Sequence, residues 1–136
     1  MAALTAAYDA LGKSGELIAY PLGAGAVIWK GALVSLRADG YLYPARGNAD
    51  DAFAGVAIES VSNAGGVAGG AVCRVIKRGT YVYHATGLSR QWTGQPMYAS
   101  DDNTISTSST AGPQVGTLVD VLSSTLGRVR IDLSVS

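Results

Sequence analysis

From Arg128 to Val135 the chain alternates without interruption. Val129, Ile131, Leu133 and Val135 are aliphatic, while Arg128, Arg130, Asp132 and Ser134 are polar. A period of two lines up the aliphatic side chains on one face of an extended strand and the polar ones on the other. A helix would scatter the same residues around its axis. The segment therefore predicts a half-buried strand, and such a strand needs partners.

The rest of the chain supplies them. Val115–Leu122 is a second run rich in β-branched residues, and Ser123–Gly127 separates it from the first, which predicts a hairpin. Asp39-Gly40 lies between Leu33–Ala38 and Tyr41–Tyr43, and Asp-Gly is the favoured two-residue hairpin turn. Gly79 likewise separates Val72–Lys77 from Tyr81–His84. Phe53–Ser60 reads as a further strand that runs into the turn-rich Asn63–Gly70. Short strands punctuated by 18 glycines predict an all-β fold, a small antiparallel barrel or sandwich. Strand signals begin at Glu16, so residues 16–136 are expected to form a single β domain, in keeping with a length of 136 residues.

Met1–Gly15 reads differently. It is Ala-rich, and Leu4, Tyr8 and Leu11 fall at i, i+4 and i+7, the spacing of one short amphipathic helix. About ten residues of helix are marginal alone in water, because nucleation is costly. The segment is too apolar for a solvated tail, so we expect an N-terminal arm, helical or extended, that docks on a neighbour. It lacks the basic-then-apolar order of a signal peptide. No apolar run reaches the roughly 18 residues of a membrane span.

Charge narrows the partners. Ten basic and ten acidic residues give a net charge of zero, and charged residues make up 15% of the chain, against a usual share of about 25%. Such a chain has no electrostatic reason to seek nucleic acid or an anionic membrane. A surface with so little charge suits self-association or residence in an assembly.

Each catalytic motif meets a simpler reading. Gly12-Lys13-Ser14 resembles the tail of a phosphate-binding loop, but Ala7 stands where the opening glycine belongs and a strand follows, so a turn is expected. Asn63–Gly70 is glycine-rich without matching G-x-G-x-x-G, and it leads into a strand instead of a helix; a surface loop is expected. His84 is the only histidine and Cys73 the only cysteine. No G-x-S-x-G nucleophile elbow accompanies them, so a strand histidine and a buried, inert thiol are expected. Asp39, Asp50, Asp51, Asp101 and Asp102 all fall in expected turns, where aspartate serves local hydrogen bonds. Asp101-Asp102-Asn103 lacks the spaced ligands of a calcium loop. No metal, cofactor or catalytic residue is expected.

Binding surface is better represented. Trp29, Tyr41, Tyr43, Trp92 and Tyr98, with Tyr81 and Tyr83, are numerous for so uncharged a chain, and tyrosine and tryptophan are enriched at interfaces. Core is the ordinary fate of any single one. Arg74, Lys77, Arg78, Arg128 and Arg130 are candidates for a basic sheet face, although solvated strand faces commonly look the same.

Taken in order, several fragments resemble a family of tailed-bacteriophage capsid cement, or head decoration, proteins. Pro21–Val34 (PLGAGAVIWKGALV) is similar to that family's opening strand-turn-strand. Gly40-Tyr41 with Pro44-Ala45, then Phe53–Ala57, then Ser62–Gly66 follow its order. Gly79–Tyr81, Gly94–Tyr98 (GQPMY), Asp101–Ile105 (DDNTI), Val115–Val121 (VGTLVDV) and Arg128–Ile131 complete it. The resemblance spans Pro21 to Leu133. Met1–Gly15 falls outside it, and Trp92 stands where the family often has a smaller residue. The resemblance implies a compact β-barrel-like or tulip-like domain on the outside of a mature phage head. Its implied partner is the major capsid protein, with the decoration protein commonly a homotrimer, made in the host cytoplasm and resident on the capsid exterior of the virion. Leu4, Tyr8, Leu11, Trp29, Tyr41, Tyr43, Trp92 and Tyr98 are the expected interface residues. Two rival readings stand beside it: a receptor- or carbohydrate-binding β-module of a phage tail or fibre, and a small hydrolase centred on His84 and Cys73.

Overall fold

A computed structural model describes residues 17–132, and within them the fold is all-β. Twelve strands follow in order: β1 (Leu17–Pro21), β2 (Val27–Ile28), β3 (Leu33–Leu36), β4 (Leu42–Pro44), β5 (Ala52–Ala57), β6 (Val61–Ser62), β7 (Val72–Ile76), β8 (Arg78–His84), β9 (Pro96–Ala99), β10 (Ile105–Ser106), β11 (Gln114–Ser123) and β12 (Leu126–Asp132). A single 3-10 turn, Arg90–Trp92, is the helical element among the described residues.

The N-terminal half forms a five-stranded sheet in the order β1-β7-β5-β3-β4, and the C-terminal half a second in the order β10-β9-β11-β12-β8. β2 and β6 make a separate two-stranded ribbon. Every ladder is antiparallel. Each large sheet curls until its two edges touch through one parallel bridge. Leu22, just after β1, meets Leu42 of β4, and His84 of β8 meets Thr104, just before β10. Curling in this way covers part of each exposed edge, the feature that otherwise invites edge-to-edge pairing.

Two hydrophobic cores result. Leu22, Ile28, Val34, Leu42, Ala54, Ala57, Cys73 and Val75 fill the inside of the first sheet. The other core joins Tyr83, Met97, Ile105, Val115, Leu118, Val129 and Ile131 of the second sheet to Leu33, Ala45 and Val56 of the first. β3 therefore has a core on each side, Leu33 on one and Val34 on the other, and its first three residues are all buried. β5 behaves alike, with Ala54 and Ala57 facing one core and Val56 the other across a bulge in its pairing with β3. The two sheets thus share a core.

The C-terminal hairpin forms as its alternation requires. β11 pairs with β12 across Ser124-Thr125, and Val129 and Ile131 are fully buried while Arg130 is exposed. Leu133 and Val135 lie outside the described residues. The β3–β4 turn differs from the two-residue form expected from Asp39-Gly40. Its loop is Ala38-Asp39-Gly40, closed by Gly40 N–H donating to Arg37 O and Arg37 N–H to Tyr41 O, with Gly40 at φ +83°. This is a type I turn followed by a left-handed residue, the usual three-residue hairpin, and glycine adopts that last conformation without strain. Gly79 sits inside β8 instead of between strands. The break falls at Lys77, where the chain leaves the first sheet for the second, so β7 and β8 are not hairpin partners.

That crossing also divides the expected basic face. Arg74 and Lys77 belong to the first sheet's side of the crossing, and Arg78, Arg128 and Arg130 to the second sheet. Arg74 pairs with Glu59 at 3.2 Å, and Lys77 Nζ donates to Ala54 O at 2.9 Å. Arg128 stands opposite Asp120 and Val82.

Candidate interaction surface

Trp29 ends β2's approach to β3 in a tight turn, with Ala32 N–H donating to Trp29 O. Gly31 occupies the third position at φ +90°, a conformation that such a turn demands and a β-carbon resists. Three further bonds fix the turn. Gly31 N–H donates to Ala57 O at 2.8 Å, Lys30 N–H to Ser60 Oγ at 2.9 Å, and the Tyr83 hydroxyl to Gly31 O at 2.7 Å. The last bond ties the second sheet to the first. Burial pushes the Tyr83 phenol well above its ordinary pKa, so it stays a donor at any physiological pH.

This anchored turn holds the indole outward. Trp29 is 67% exposed, an unusual place for so large an apolar group on a rigid scaffold. Beside it opens a groove of about 340 Å³ between the two sheets, lined by Trp29, Lys30, Val82, Tyr83, Asp102 and Asn103 among others. Val82 is 38% exposed on the outer face of β8. Asp102 belongs to the loop between β9 and β10, which is fixed by Ser100 N–H to Thr104 O, by Asp101 Oδ1 accepting from Asn103 N–H, and by Leu33 N–H donating to Asp102 O. Burial, and then the neighbouring Asp101, raises the Asp102 pKa.

The other expected aromatics lie elsewhere. Tyr41 and Tyr43 sit on the β3–β4 hairpin. Asp39 accepts from Tyr41 N–H at 2.9 Å and from the Tyr43 hydroxyl at 2.7 Å, which holds its pKa below the usual carboxylate value. The Arg37 guanidinium lies 3.8 Å over the Tyr43 ring, whose other contacts are Gly23 and the first sheet's core. Trp92, in the 3-10 turn, is half-buried against the shared core. Tyr98 lies half-buried on β9, opposite Gln114 and Ser106. These five expected interface residues are thus distributed over four separate elements, and Trp29 alone of them is strongly exposed. Leu4, Tyr8 and Leu11 lie outside the described residues.

The groups weighed for chemistry are apart. Cys73 is fully buried in the first sheet's core, where burial pushes its thiol up to about 11, whereas His84 is exposed on the second sheet. Asp39, Asp50 and Asp101 sit in exposed turns, but Asp51 is buried and paired with Arg46 at 2.9 Å. Among the described residues no group of three or more His, Cys, Asp or Glu is placed to hold a metal, and no helix is long and apolar enough to cross a membrane.

Sequence reasoning passed over Val82 and Asp102 as groove residues. A signal for Val82 was present in Tyr81-Val82-Tyr83, because burying Tyr83 turns the residue before it outward. Nothing local marks Asp102 as a neighbour of Trp29, since 73 positions in the chain separate them. No protein-family model, no curated protein and no solved structure matches the chain.

Proposed function

We propose that this protein is a capsid decoration protein of a tailed bacteriophage, which binds the outer surface of the mature head and stabilises contacts between major capsid protein subunits by binding alone. The sequence resemblance from Pro21 to Leu133 suggests the reading. The observation that carries it is Trp29, an exposed indole on a turn fixed by four hydrogen bonds. Large aromatics held rigid before binding lose little entropy on docking and dominate interface energetics. Trimers gripping several subunits would gain effective concentration with each added contact, so modest single contacts suffice to brace a shell.

The test is reconstitution. Purified protein added to undecorated mature heads should bind to a fixed stoichiometry with no cofactor present. It should also raise the temperature at which heads rupture, because a ligand that binds only the intact shell shifts the equilibrium towards it. Failure to bind heads under any condition would remove the reading. A second reading, a carbohydrate-binding module of a tail or fibre, draws on the same indole with Asp102 and Asn103 beside it. Saturable quenching of tryptophan fluorescence by a sugar on a glycan panel would favour it.

A further inference from the structure

We infer that the groove beside Trp29 receives a single arginine side chain from the protein partner, with its guanidinium on the Asp102 carboxylate and its flat face against the exposed indole. The identity of that partner as a capsid subunit rests on the function proposed above; the chemistry of the groove does not. An indole face attracts a cation through its quadrupole, and a planar guanidinium both stacks on the ring and donates in the plane to a carboxylate. Trp29 offers that face, and it lines the same groove as Asp102. Asp102 takes no part in the ion pairs Arg46–Asp51 and Arg74–Glu59. It is half-buried next to a second acid, Asp101, so its charge is under-compensated in the free protein. A partner's cation would relieve that cost, whereas a neutral sugar would stack on the indole and leave the charge as it was. Lys30 lines the groove as well and opposes an incoming cation, which gives the electrostatics a sign that can be checked.

The experiment follows the Trp29 indole N–H signal of the full-length, nitrogen-15-labelled protein during addition of N-acetyl-arginine amide. N-acetyl-citrulline amide, uncharged and nearly isosteric, and methyl glucoside run in parallel. Arginine should shift the signal saturably and bind roughly fivefold or more tightly than citrulline, the scale of a cation–π contact with a partly exposed ion pair. Asp102→Asn should reduce arginine to the level of citrulline, Asp102→Glu should retain a preference for arginine, and Lys30→Gln should strengthen binding. Spectral dispersion verifies that each variant is folded. Equal binding of arginine and citrulline, or an Asp102→Asn protein that still prefers arginine, would overturn the inference. So would saturation by the glucoside alone, which would assign the groove to sugars. Pelleting with undecorated heads separates the two levels. Heads that bind wild type and Asp102→Asn equally refute the groove and leave decoration standing. Heads that bind neither, while arginine still shifts Trp29, refute decoration and leave the groove.

Discussion

Replacing Leu33 by alanine should destabilise both halves of the molecule together. Leu33 is fully buried and belongs to the core shared with Leu118, Val129 and Ile131 of the second sheet, while its own strand is paired on both sides, with β5 and β4, in the first. Its N–H also donates to Asp102 O across the junction. Removing three buried carbons costs about 2.4 kcal/mol at roughly 0.8 kcal/mol each, before any cavity forms. A site covered on both faces collapses poorly, so the total should reach about 3–4 kcal/mol, within the range seen for buried Leu→Ala changes. For a chain of this length that corresponds to a drop in Tm of about 10–15 °C. The assay is thermal unfolding followed by far-ultraviolet circular dichroism and by tryptophan fluorescence. Trp92, packed on the shared core, makes the second probe sensitive to the junction. Both probes should move together in wild type and variant. A Tm change below about 3 °C, or two transitions in the wild type, would refute the shared core.

Three other changes read separate links. Tyr83→Phe removes the bond to Gly31 O and should cost about 1 kcal/mol, with faster amide exchange at Gly31 and Ala32 as the sign that the Trp29 turn has loosened. Asp39 should titrate below an ordinary aspartate by NMR. Its folded pKa is depressed, so its support for the β3–β4 hairpin is complete above the unfolded value of about 3.9 and is lost as pH falls through the folded one; Asp39→Asn should abolish that acid-dependent part. Cys73 should resist a thiol reagent at pH 8 in the folded protein and react at once in denaturant, because burial both shields it and raises its pKa to about 11.

The second sheet was the more legible half. Val129 and Ile131 alternate with arginines because one face of β12 meets the core and the other meets solvent. β3 and β5 hid their register for the opposite reason. Leu33-Val34 and Ala54-Gly55-Val56 are buried on both faces, so no period of two survives to mark which residue serves which core. The break expected at Gly79 falls at Lys77 instead, because a strand leaving one sheet for another keeps the composition of a strand. Among the aromatics expected at an interface, exposure was not legible in the sequence. Tyr83 and Trp29 are both aromatic strand-end residues in sequence, yet one is a buried strut beneath the other's turn. That difference is set by the second sheet closing on the first, a contact no local pattern records.

The central claim is that Trp29 anchors a protein interface. A binding isotherm on undecorated mature heads, wild type against Trp29→Ala, tests it most directly. Because the indole is mostly exposed, its loss should leave Tm within a few degrees. Loss of an interface anchor costs about 2 kcal/mol or more, so affinity for the heads should fall by roughly 30-fold. A folded Trp29→Ala protein that decorates heads as tightly as wild type would contradict the account.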